Sequence, residues 1–227
     1  MVGGGPLLGP GLVTLAHLGV LFLDELAEFD RDVLDALRQP LEDGTVEIVR
    51  ASGSVRYPAR LLLVASTNPC RCGWVGDATR PCTCPAGDPD RYVRRISGPL
   101  LDRIDLQVRM PRVDPDALIT AAAPEPSDAV RERIGAARTR GTVRNGGPPN
   151  ARLRGADLVA ACALTPAAGD LLREVGASDA LSARSIHRVL RVARTIADLG
   201  HRRAVDDTDV SAALSLHQDV LGRGLAA

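Results

Sequence analysis

Two adjacent carboxylates, Asp24-Glu25, close the apolar run Gly19-Val20-Leu21-Phe22-Leu23. A continuous run this short suits a strand of a parallel sheet buried on both faces. The carboxyl end of such a strand opens on the crevice where parallel sheets hold ligands. An acid there can hold Mg²⁺, usually through water, because this ion takes few carboxylates and keeps several waters. A second acid beside it can orient and deprotonate an attacking water. Asp24 suits the first role and Glu25 the second, and a buried strand followed by a helix-capping acid is the competing reading. A second apolar run, Arg60 to Ser66, ends at Thr67-Asn68-Pro69. The Asn68 amide can hold a water near a terminal phosphate, although Asn-Pro also simply begins turns. Downstream, Gly98-Pro99-Leu100-Leu101-Asp102-Arg103 offers an arginine. A guanidinium from a neighbouring subunit can stabilise the charge of phosphoryl transfer. Pairing with Asp102 or Asp105 would make Arg103 structural instead.

Cys70-x-Cys72 and Cys82-x-Cys84 face each other across a loop that contains Gly73, Gly76 and Pro81. In a reducing compartment, paired cysteines read as metal ligands rather than disulfides. Four thiolates suit a tetrahedral structural Zn²⁺. The spacing is tighter than that of common zinc knuckles, so reduced thiols and disulfides remain open. Cys162 lies in an apolar helical pattern and belongs to a core. Arg50 and Arg56 flank the tip of an expected hairpin, with Arg60 at its base. Such arginines can grip a nucleic-acid backbone or merely solvate the hairpin. His17, His187, His201 and His217 show no metal spacing and read as packing or surface. Arg188, Arg191 and Arg194 read as a solvated or inter-subunit face, opposite a buried stripe of Ile186, Val189, Leu190, Ala193 and Ile196.

The elements that must position these groups follow from periodicity. Leu12 to His17 alternates like a short strand, and Asp30 to Gln39 reads as one helix with Val33, Leu34, Leu37 and Leu41 on one face. Thr45 to Tyr57 reads as a hairpin turning at Ala51-Ser52-Gly53-Ser54. A Cys-rich loop from Cys70 to Pro89 leads to a short helix at Tyr92 to Ile96, then to a third strand at Ile104 to Val108. Beyond Pro111 helices are expected at Ser127 to Thr139, Arg154 to Cys162, Thr165 to Val175, Ser182 to Leu199 and Thr208 to His217, with a loop at Gly141 to Asn150. The expected organisation is an α/β half over 1–111, a linker over 112–126 and a helical domain over 127–227.

Composition narrows the function classes. The chain has 227 residues, 45% hydrophobic and 25% charged, ordinary for a globular protein with a core. Its 28 basic and 28 acidic residues cancel, which excludes a uniformly basic DNA-coating protein but not a local patch. Every basic residue is Arg and none is Lys. The phosphate loop G-x-x-x-x-G-K-S/T needs its Lys, so this chain does not contain it. No apolar run approaches the length of a membrane span, about 20 residues, and no secretory leader is visible. The expectation is a cytoplasmic protein without a membrane partner.

The order of parts adds a resemblance. A strand ending in Asp-Glu, a hairpin, a strand ending in Asn, then Leu-Leu-Asp-Arg and a helical domain is the layout of the AAA+ branch with a pre-sensor-1 hairpin. The segments LVASTNPCRCG, RISGPLLDRIDL and LSARSIHRVLRVARTIADL resemble the Mg-chelatase-like AAA+ ATPases of the ComM/YifB type nearly letter for letter, and the likeness extends over residues 3 to 215. It implies a partial AAA+ parallel-sheet core with a Cys-rich insertion, followed by an all-α lid. It makes Asp24 and Glu25 the Walker B acids, Asn68 sensor 1, Arg103 the trans-acting finger and Arg184 the lid's sensor 2. Arg188 is the rival for sensor 2, and Arg94 and Arg95 lie near the finger. It further implies ATP with Mg²⁺, a homo-oligomeric ring (a hexamer at full length) and DNA as partner, in a branch-migration helicase of recombination and natural transformation. The family's Lon-protease-like N-terminal domain and Walker A loop are absent from this sequence, which would leave the chain alone inactive. A motor subunit of a magnesium chelatase, and a truncated partner of an intact ATPase, are the alternatives.

Overall fold

The computed structural model describes residues 1–51, 53–77, 79–113, 119, 125–177 and 181–217. Two compact units divide between Ile104 and Asp105. The first is α/β with a parallel strand pair and the second is helical, the fold class expected from the sequence.

The first unit opens with a minimal antiparallel ribbon, β1 (Gly3–Gly4) and β2 (Gly9–Pro10). A side chain at Gly3 would meet the Gly9 carbonyl oxygen at 2.4 Å, so the ribbon closes only on glycine. Leu12 to Leu15, expected as strand, is a short helix, α1. Val13 alone is buried there while Leu12 and Leu15 face solvent, a spacing of one apolar contact per turn. The parallel pair is β3 (Val20–Leu23) and β6 (Leu62–Ala65), with Val20 opposite Leu62 and Leu23 opposite Ala65. Leu21 and Leu23 enter the core, but Val20 and Phe22 are each 59% exposed. The expectation of burial on both faces is therefore corrected: the described residues cover one face only.

The helix expected over Asp30 to Gln39 is two helices, α2 (Arg31–Asp35) and α3 (Arg38–Asp43). Pro40 lacks an N–H and is tolerated only in a first turn, so the helix breaks and restarts with Pro40 inside the first turn of α3. Gly44 ends α3 in the left-handed conformation, φ 68°. The expected hairpin forms from β4 (Thr45–Arg50) and β5 (Gly53–Pro58), paired from Thr45 with Pro58 to Arg50 with Gly53. Val46 and Ile48 point inward between exposed Glu47 and Val49, the period-two pattern of a half-buried strand. Ser52, in the expected turn, lies outside the described residues. After the Cys loop come α4 (Asp88–Val93) and α5 (Gly98–Leu101), each with a proline in its first turn. The core joins Val13, Leu23, Leu26, Leu34, Leu37, Ile96 and Leu100.

No strand forms over Ile104 to Val108. Leu106 and Val108 are about half exposed, and the Gln107 amide donates at 2.8 Å to the Leu216 carbonyl of the helical unit instead of to a sheet. That unit contains α6 (Ser127–Arg144), α7 (Gly155–Cys162), α8 (Pro166–Ala177), α9 (Ala183–Leu199) and α10 (Asp207–His217). All five expected helices are present; α6 runs into the expected loop as far as Arg144. Ser182 caps α9, its hydroxyl accepting from the Ser185 amide at 3.1 Å. Val189, Leu190, Ala193 and Ala197 of α9 pack with Leu158, Cys162, Val205 and Val210.

The arginines of α9 are a correction. Arg188 and Arg194 are 3% and 0% exposed, not a solvated face. Arg194 donates to the Ala161, Cys162, Arg202 and Arg203 carbonyls and to Asp198 Oδ1. It thereby satisfies carbonyls at the end of α7 that no helix bond can reach. Asp198 also accepts from Arg144 and Asn150. Burial works against the Asp198 carboxylate, but those hydrogen bonds and the Arg194 charge outweigh it and hold its pKa below the ordinary value.

Candidate functional site

Parallel pairing sets the ends of β3 and β6 side by side, since Leu23 lies opposite Ala65. The next residues, Asp24 and Glu25 on one strand and Ser66 to Asn68 on the other, therefore share one end of the sheet. Asp24, Glu25 and Asn68 are exposed. The Ser66 hydroxyl donates to Asp24 Oδ1, and the Glu25 amide donates to Asp24 Oδ1 at 3.1 Å. Glu25 takes the left-handed conformation, φ 51° and ψ 52°, which a residue with a side chain adopts at a cost. The chain turns there into a 3₁₀ turn, Leu26–Glu28, with the Leu26 amide fastened to the Ser66 carbonyl at 2.8 Å.

Behind this end sits Tyr92, 3% exposed. Burial raises its pKa, with the Glu28 hydrogen bond and the charges of Glu28 and Glu25 acting the same way. Arg95 meets Glu28 at 3.3 Å, while Arg94 is exposed. Sequence reasoning named neither Ser66, Glu28 nor Tyr92 as site residues. A hydroxyl ending an otherwise apolar strand was the visible signal for Ser66; the other two come together only through the fold.

Arg103 is not aimed outward. Its guanidinium donates to the Pro99 carbonyl at 2.6 Å and pairs with Glu42, leaving the side chain 15% exposed. Its carboxylate partner is thus neither Asp102 nor Asp105. Asp105 pairs instead with Arg188 at 3.3 Å and Arg191 at 3.9 Å. Arg184 is exposed in the first turn of α9. A cation there opposes the helix dipole, so its position is not explained by helix stability. On the hairpin, Arg50 sits at the tip with Nη1 at 3.3 Å from the Val49 carbonyl. Arg56 faces Glu47 across the ladder at 3.8 Å, an exposed pair of small energetic weight. Arg60 lies against Gly44, and its amide donates to His17 Nδ1 at 3.0 Å.

The cysteine pairs do converge. Cys70, Cys72, Cys82 and Cys84 hold their sulfurs within 4.8 Å of one another. Three separations are 3.4, 3.5 and 3.8 Å. A tetrahedral ion bound at about 2.3 Å sets its thiolates about 3.8 Å apart, whereas a disulfide needs about 2.05 Å. The loop therefore fits four ligands around one soft ion and fits no disulfide. Against the cost of desolvation, the Trp74 and Thr83 amides and the neighbouring thiols bring Cys72 down to about 5. Against the Cys84 amide, desolvation and the Cys72 and Cys70 thiols push Cys82 up to about 12. Trp74, which follows Gly73, carries the Arg80 guanidinium 4.7 Å from its ring centre. Cys162 stands apart in the helical core, its pKa raised by burial to about 11.

Comparison with known proteins identifies the family. The family model for magnesium chelatase subunit ChlI matches residues 1–118, and that for the ChlI C-terminal region matches residues 124–217. The chain is 40% identical to the uncharacterized protein YifB of Escherichia coli over 99% of its own length and 43% of the relative's. It is 41% identical to the competence protein ComM of Haemophilus influenzae over 94% of its length and 42% of the relative's. Similarity to a magnesium-chelatase subunit ChlI from Anabaena variabilis, 38% identical, covers only 60 residues. The chain thus spans less than half the length of the YifB and ComM relatives. With both family models matched in order and similarity to YifB and ComM over nearly the whole chain, the chain belongs to the Mg-chelatase-like AAA+ family of the ComM/YifB type.

Proposed function

We propose that this chain is part of an AAA+ ATP hydrolase that drives a ring on DNA, as a branch-migration helicase of the ComM type. The observation that carries the reading is the exposed Asp24-Glu25 pair at the carboxyl end of β3, beside the β6 end that bears Asn68. On this reading 1–111 form a partial core, 112–126 a linker and 127–227 a lid, in the order of the two family models.

Asp24 would hold Mg²⁺ through water, its hard oxygens suiting that ion. Bound Mg²⁺ supplies neutralisation of phosphate charge. Glu25 takes the proton of the attacking water as the water oxygen bonds to the terminal phosphorus and ADP leaves. Asn68 orients that water. Arg184 of α9 would serve as sensor 2, with Arg188 as its rival on the same helix. Arg103 serves the neighbouring subunit's site once released from Glu42. The phosphate-loop lysine must come from polypeptide outside this sequence, which contains no Lys. Cys70, Cys72, Cys82 and Cys84 would hold a structural Zn²⁺ in the reduced cytoplasm, and Arg50 and Arg56 would contact the DNA backbone.

The test is ATP hydrolysis by the chain joined to a segment bearing G-x-x-x-x-G-K-S/T, with and without forked DNA. Stimulation by the fork is expected, and Glu25→Gln should lower turnover by about 10²–10⁴-fold. The ChlI similarity favours one other reading, a chelatase motor. Turnover that ignores DNA but responds to a partner subunit and porphyrin would establish that one instead.

A further inference from the structure

We infer that Ser66 is a positioning residue for the acid pair, holding Asp24 to receive a divalent ion and Glu25 to face the reacting water. This deepens the strand-end reading above and rests on it. The inference comes from four bonds that meet at one residue. The Ser66 hydroxyl donates to Asp24 Oδ1 and lies 3.3 Å from the Glu25 amide. The Ser66 amide donates to the Leu23 carbonyl at 3.0 Å, and the Ser66 carbonyl accepts from Leu26 at 2.8 Å.

The two backbone bonds fix the strand ends and would survive any side chain at this position. The hydroxyl adds what the backbone cannot. It occupies Oδ1 together with the Glu25 amide, and Oδ2 takes no part in either bond. A carboxylate with one oxygen held presents the other in a fixed direction, the arrangement by which outer groups orient metal ligands. The same contact braces Glu25 in the left-handed turn that φ 51° records, a conformation that must be held from outside. Tyr92 and the Glu28–Arg95 pair back this end of the sheet through Glu28.

The experiment titrates Mn²⁺ into the intact chain and follows the free ion by electron paramagnetic resonance. Mn²⁺ prefers oxygen donors over the thiolates of the cysteine cluster. The variants are Asp24→Asn, Ser66→Ala and Ser66→Thr, each with its thermal midpoint measured. Ser66→Ala keeps both backbone bonds and should fold. The expected result is loss of the site in Asp24→Asn, about tenfold weaker binding in Ser66→Ala at an unchanged midpoint, and recovery to within about threefold of the parent in Ser66→Thr. Parent-like binding in Ser66→Ala, with the site lost in Asp24→Asn, would overturn the role of Ser66 alone. A lowered midpoint that Ser66→Thr does not restore would also overturn it, by making the residue structural. Parent-like binding in Asp24→Asn would remove the ion from this strand end, and the broader reading would go with it.

Discussion

Arg103 bonds its own Pro99 carbonyl and its own Glu42. A finger must leave these partners, so the Glu42 pair sets how easily it does. Two substitutions separate a latch from a strut. In an ATP-hydrolysing assembly, Arg103→Ala should lower turnover by about 10³-fold or more, the scale of an arginine finger. Glu42→Gln should leave turnover at or above the parent level. If the pair is only a strut, both variants lower the melting temperature together and turnover follows stability. The cysteine cluster makes a different residue-scale prediction. At neutral pH Cys72, near 5, is already thiolate, while Cys82, near 12, carries its proton. A zinc ion held there would have to displace the protons of Cys82 and of Cys84, which is raised as well, so its affinity should rise with pH. Calorimetry in buffers of different ionisation enthalpy should record proton release at pH 7. Pushing a chelator to completion should then spread the sulfurs and expose Trp74 to solvent, seen in its fluorescence.

At the scale of elements, β3 and β6 expose a matched set of side chains. Val20 lies opposite Leu62 and Phe22 opposite Val64, and all four are 42–59% exposed on one face. The opposite face carries Leu21 and Leu23, 8% and 4% exposed. Leu23→Ala should therefore cost about 2–5 kcal/mol, the usual range for a buried leucine. Phe22→Ala, which loses little burial, should cost under about 1 kcal/mol and reduce binding of an apolar dye. Urea unfolding of both variants checks the contrast; equal losses would mean that the face is covered. The same strand shows what the sequence could reveal. Its position and direction were legible because a short apolar run ending in acids has few other homes. Its one-sided burial was not, since periodicity cannot say how many layers a sheet receives. Leu12 to His17 misled because a short alternation also fits one helical turn with a single buried residue, Val13. Pro40 was the readable cue for the α2–α3 break. Arg103 turned toward Glu42 because carboxylates distant in sequence compete for an arginine as well as near ones. The helices beyond Pro111 were legible in position, most clearly α9 with its buried stripe of Val189, Leu190, Ala193 and Ala197, whereas the end of α6, which buries only Ala137 and Gly141, was not.

At the scale of the molecule, each unit has its own core, and the only Trp, Trp74, belongs to the first. Asp198 is the charge on which the second unit depends. It is 3% exposed and serves Arg144, Arg194 and Asn150, with Arg194 fully buried. Its folded pKa is depressed, so its stabilisation is complete above the unfolded value, about 3.9, and is lost as pH falls through the lower folded value. Between pH 5 and 8 this group should contribute no pH dependence; below pH 4 the helical unit should weaken. Asp198→Asn keeps the shape but strands the Arg194 charge, which should cost about 3–5 kcal/mol. Two probes tell where that cost falls. Far-UV dichroism is weighted toward α6 to α10, whereas Trp74 fluorescence reports the first unit. In thermal unfolding Asp198→Asn should lower the dichroism midpoint and leave the Trp74 midpoint in place. A joint shift of both probes would mean that the two units unfold as one.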